Sequence, residues 1–100
     1  MTPSIRHTFL VERYAADLSV EDVIGAGRRT EEAAPALSPG TRVRYLGSIL
    51  LPADEMSLCF FQGTSEDVLR RALEDSPLSF ERITDALPVS RRTHATRPIP

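Results

Sequence analysis

The sequence predicts an α+β domain with the element order strand–helix–strand–strand–helix–strand. Three observations carry that prediction. Three runs are rich in β-branched, aromatic and other apolar residues. Serine-capped stretches with apolar residues at 3–4 spacing follow the first and third of those runs. Proline- and glycine-containing clusters then punctuate the chain between elements. The chain has 100 residues, room for one domain and one modest core.

The elements follow in order. Residues 5–14, IRHTFLVERY, hold no Gly or Pro and read as strand one. Ser19 is a good N-cap, with Asp22 in the capping-box position, so helix one is expected over 20–34. Val20, Val23, Ile24, Gly27, Thr30, Ala34 and Leu37 follow helical spacing, and Pro35 with Ser38-Pro-Gly is expected to close the helix. Residues 41–51, TRVRYLGSILL, make strand two. Simple alternation puts Val43, Tyr45, Ile49 and Leu51 on one face, and Arg42, Arg44, Leu46 and Ser48 on the other. The turn residues Pro52-Ala-Asp-Glu join it to strand three, MSLCFFQ at 56–62, as a hairpin. Thr64-Ser65 caps helix two, expected over 65–75, whose Val68, Leu69, Ala72 and Leu73 share a face. Glu66–Arg70 and Asp67–Arg71 are i,i+4 pairs in the favourable order. Segment 79–89 fits a short helix through Phe80, Ile83 and Leu87, or a strand through Ile83, Asp85, Leu87 and Val89. The reading adopted is a turn at 78–82 followed by strand four, with Pro88 making it an edge strand. Residues 91–100 carry Arg and Pro without periodicity and are expected to be a disordered tail after a single domain at 1–90.

This order is the split βαβ unit: a ferredoxin-like fold, two helices on one face of an antiparallel sheet. Strands one and three are expected to be central, in spatial order 4-1-3-2, because they are the most apolar. Such a sheet usually alternates apolar inward and polar outward. Strand three does not: Leu58 and Phe60 point one way, Cys59 and Phe61 the other. The second apolar face calls for a cover, either the tail, a loop or a second copy of the chain. A homodimer of the dimeric α+β barrel type is the expectation.

Composition narrows the function classes. All twelve basic residues are Arg, and Lys, Asn and Trp are absent. Schiff-base lysine chemistry and a P-loop lysine are thereby excluded. The net charge of −2, with only Arg91-Arg92 and Arg97 as a basic cluster, argues against a nucleic-acid partner. A lone Cys59 excludes an internal disulfide. No apolar leader and no run approaching 18 apolar residues is present, so the expected address is the cytoplasm and no membrane partner is expected.

FLVERY (9–14), VRYLGS (43–48) with the ADE turn and CFF strand, SEDVLRRA and LSFERITDAL together resemble one family. It is the small nickel-binding-protein family of bacterial ferredoxin-like domains, once a domain of unknown function. The resemblance implies a ferredoxin-like protomer, a homodimer and, for some members, a bound metal. No ligand motif carries over residue by residue; where many members have His, this chain has Gly47.

The residues themselves offer His7, His94 and Cys59 as widely spaced soft or imidazole donors, without C-x-x-C or H-x-x-x-H spacing. No tightly bound metal within one chain is therefore expected, although one assembled across a dimer stays open. Nucleophilic machinery such as G-x-S-x-G is missing. The remaining catalytic candidates are Glu12 and Tyr14, on one face of strand one, with Arg44 on strand two. A carboxylate, a phenol and a guanidinium in an apolar enclosure suit cofactor-independent proton transfer in a cyclase or isomerase. The competing reading is an interfacial Glu–Arg pair holding two protomers in register. Two functions thus stand side by side: a homodimeric binding protein, for a divalent metal if the resemblance extends so far, and a small-molecule enzyme.

Overall fold

The structure is a computed structural model, and it describes residues 7–76 and 79–89. Strand β1 (His7–Tyr14) leads to helix α1 (Val20–Leu37), then β2 (Val43–Leu51), a 3-10 turn (Pro52–Asp54), β3 (Met56–Gly63), helix α2 (Glu66–Glu74) and β4 (Arg82–Ala86). The sheet order is β2-β3-β1-β4, with every pairing antiparallel. This is the ferredoxin-like α+β arrangement in the expected strand order, with β1 and β3 central.

Local chemistry explains the element ends. Ser19 closes a full capping box: its hydroxyl accepts from Asp22 N at 3.0 Å, and the Asp22 carboxylate accepts from Ser19 N at 3.1 Å. Ser65 caps α2 by accepting from Val68 N at 3.2 Å. Helix α1 runs three residues past the expected end, through Pro35 to Leu37. A proline in the last turn leaves only the carbonyl four residues back without its usual helical donor. Ser38 N then donates to Ala34 O at 3.1 Å and closes the helix.

The helices cover the face that carries Phe9 and Val11 of β1 and Cys59 and Phe61 of β3. These side chains pack with Val23 and Ala34 of α1 and Val68, Leu69, Ala72 and Leu73 of α2 into one core. Leu69, Leu73, Phe61 and Val11 are fully buried. The covered face is apolar because it is the only side on which the helices' apolar stripes can be buried.

Two expectations need correction. Strand β4 spans Arg82–Ala86 rather than 83–89, and Leu87 and Val89 are 86% and 83% exposed. Its pairing with β1 ends at Thr8↔Ala86, and Pro88 has no N–H with which to extend it. The second correction concerns the faces of β2. A bulge lies between Tyr45 and Gly47, so Tyr45 pairs with Phe61 while Gly47 pairs with Phe60. One extra residue, Leu46, shifts the alternation by one position. Beyond it Ser48 joins Val43 and Tyr45 on the covered face, and Ile49 and Leu51 move to Arg44's face. Gly47 sits at φ +141°, a conformation that favours glycine, and so the bulge falls where the sequence can take it. Residues 91–100 lie outside the described residues, as do Ile5 and Arg6 of the expected strand one.

Candidate functional site

The open face of the sheet carries the even-numbered residues of β1. Glu12 stands opposite Leu58 on one side and Arg82 on the other. Its Oε2 accepts from Arg82 Nη2 at 2.9 Å and Nε at 3.0 Å, and its Oε1 accepts from the Tyr14 hydroxyl at 3.1 Å. The Glu12 side chain is only 13% exposed, whereas that of Arg82 is 69% exposed. The hydrogen bond to Glu12 is the main reason that the Tyr14 phenol titrates above its ordinary range; desolvation and the Glu12 charge push the same way, and Arg82 pulls back.

Arg44 shares the open face but not this cluster. It stands opposite Gln62, while Glu12 stands opposite Leu58. Four residues along β3 separate those partners, roughly 13 Å at about 3.3 Å per residue. The guanidinium that meets Glu12 therefore belongs to Arg82. Beside the cluster lies an apolar row: Leu10 faces Phe60, and Ile49, half-exposed at 49%, faces Leu58.

His7 pairs with Asp85, Nδ1 to Oδ1 at 3.4 Å. No group of three or more His, Cys, Asp or Glu side chains among the described residues converges as metal ligands do. Cys59 is buried mid-strand and accepts a hydrogen bond from the Ser48 hydroxyl at 3.1 Å.

The covered face holds a diagonal of polar groups inside the core. Arg13 is 1% exposed and lies opposite Ser57; its Nη1 donates to Ser79 O at 3.2 Å. Burial lowers its pKa, and the neighbouring Cys59 and Tyr45 push it back up. Ser57 and Cys59 follow on β3, then Ser48, whose hydroxyl also meets the Tyr45 hydroxyl. The diagonal ends at a groove of about 570 Å³ between α1 and β2. Val20, Ile24 and Leu46 form its apolar walls, Tyr45 and Ser48 its hydroxyl floor, and Arg28 its cationic flank. Glu31 also lines it, with Oε2 accepting from Tyr45 N at 3.1 Å.

Two glycines make this groove possible. A Cβ on Gly27 would come within 2.5 Å of the Tyr45 ring, so only glycine lets that ring lie against α1. Gly47 permits the bulge that brings Ser48 inward. Alternation by itself hid Ser48, because a bulge cancels period two; a glycine within a strand was the available signal. Arg13 was readable, since it shares parity with Phe9 and Val11. Arg82 was not, because only the register of β4 on β1 sets it opposite Glu12.

No protein-family model matches the chain, and neither does any curated protein. Among solved structures, the crystal structure of SCO4226 from Streptomyces coelicolor A3(2) is similar, with a TM-score of 0.65 and 15% identity. The match covers 83% of this chain and 98% of that one. At that identity the likeness establishes a shared fold. No helix among the described residues is long and apolar enough to cross a membrane.

Proposed function

We propose that this is a small homodimeric binding protein, two copies meeting through the open faces of their sheets. The observation that carries the reading is the apolar row Leu10, Phe60, Leu58 and Ile49, set on the face opposite the helices. An open apolar face of this kind is covered most economically by its own copy, because a two-fold axis matches the same patch to itself. Glu12 and Arg82 at its border supply a charged pair that sets the register of the two copies. The resemblance to the nickel-binding-protein family supports both the pairing and a metal. A metal site would draw on His7 and Asp85 and needs further donors from the second copy.

The acid–base reading has less support. Arg82 pairs with Glu12 Oε2 and the Tyr14 hydroxyl donates to Oε1, so the carboxylate is held as a partnered anion and not as a free base. Sedimentation equilibrium tests the proposal: the expected mass is twice 11.1 kDa, and Phe60→Glu should halve it. A wild-type monomer at tens of micromolar would sink the homodimer. Elemental analysis after nickel loading, with and without His7→Ala, tests the metal separately.

A further inference from the structure

The groove between α1 and β2 lies on the covered side, away from the open face proposed for the homodimer. The bulge at Leu46 turns that side chain outward and Ser48 inward, the kind of re-aiming for which bulges are retained near binding sites. Leu46, Val20 and Ile24 are 46%, 57% and 38% exposed, an apolar cleft held open to solvent. Its volume of about 570 Å³ falls within the usual range for small-molecule sites. Arg28 forms no ion pair among the described residues, although it lies on a helix that also carries Glu31 and Glu32.

We propose that this groove binds an amphipathic monocarboxylate, its apolar body against Val20, Ile24 and Leu46 and its carboxylate held by Arg28. Charge complementarity selects the anion: Arg28 lines the groove without an ion-pair partner among the described residues, and a guanidinium suits a carboxylate. Glu31 is the opposing charge in the groove, and its Oε2 is turned to the β2 backbone by the Tyr45 N–H. The same contact disfavours an added β-strand at this edge, because the donor that such a strand would need is taken. A small ligand remains the better fit. The inference rests on the binding-protein reading and is independent of the homodimer, since the groove and the open sheet face lie on opposite sides.

The test is an NMR titration of the labelled full chain with decanoate, and with decanol as the uncharged comparator. Saturable shifts at Ile24, Leu46 and Gly47 are expected with decanoate. Arg28→Gln, an exposed helical change, should weaken decanoate by about tenfold or more and leave decanol unchanged. Three results would overturn the proposal: no saturable shift, shifts at Leu10 and Phe60 on the open face instead, or an Arg28→Gln chain that binds decanoate as the wild type does. Groove shifts that depend on protein concentration without ligand would assign the cleft to a second copy and also overturn it. Sedimentation of the same samples reads the homodimer separately, so failure of one reading is not mistaken for failure of the other.

Discussion

Arg13 and Arg82 sit on adjacent strands of one sheet and face opposite environments. Arg13 points into the helix-covered side and is 1% exposed; the Arg82 side chain is 69% exposed and reaches back to Glu12. On the covered face water is excluded, so the protein must hydrogen-bond the guanidinium itself, and its aliphatic stem becomes part of the packing. On the open face solvent screens the ion pair and competes for it. The same residue type therefore weighs heavily on stability on one side and lightly on the other.

The sharpest way to break that contrast is to truncate the buried arginine. Arg13→Ala should destabilise the fold by about 2–5 kcal/mol in urea denaturation, through a cavity and stranded polar neighbours. Arg13→Met restores apolar volume without a charge to bury and should recover most of the loss. If Arg13→Ala cost no more than an exposed substitution, the covered face would be far wetter than its burial implies.

A second test probes packing on the covered side. Gly27→Ala improves helix propensity yet places a Cβ 2.5 Å from the Tyr45 ring. Overpacking of about 1–3 kcal/mol should outweigh a propensity gain of about 1 kcal/mol, giving a lower Tm. In a Tyr45→Ala background the clash disappears and the same change should raise Tm. Such a reversal of sign would identify ring contact as the cause.

On the open face the effects should be smaller. Arg82→Gln is expected to cost under about 1 kcal/mol, and the loss should shrink as salt is raised. A larger, salt-insensitive loss would mean that the pair lies in the dry centre of the interface between two copies and not at its border.

The smallest effect is one of pH. The folded-state pKa of Tyr14 is raised above its ordinary value of 10.0, chiefly by its hydrogen bond to Glu12. The folded chain therefore holds that proton more tightly than the unfolded chain does. Stability from this group is complete below pH 10 and declines as pH rises from there through the folded pKa. Tyr14→Phe should remove that decline, and absorbance titration should show one late-ionising phenol in the wild type that the variant lacks.

The sequence by itself determined the element order, the two helix caps, and the parity that sets Phe9, Val11 and Arg13 against Leu10, Glu12 and Tyr14. These are local matters: a serine three residues before an acid, or alternation along one strand, needs no knowledge of distant residues. Only the tertiary structure decided that α1 continues through Pro35, that β4 stops before Pro88, and that Leu46 is a bulge. Each depends on whether a neighbouring backbone group is within reach. The meeting of Glu12 with Arg82, 70 residues apart, is a product of strand register. Arg44 has the same chemistry and the same face, yet stands opposite Gln62 instead of beside Glu12, because register sets which residues meet across a sheet and alternation sets only the side they are on.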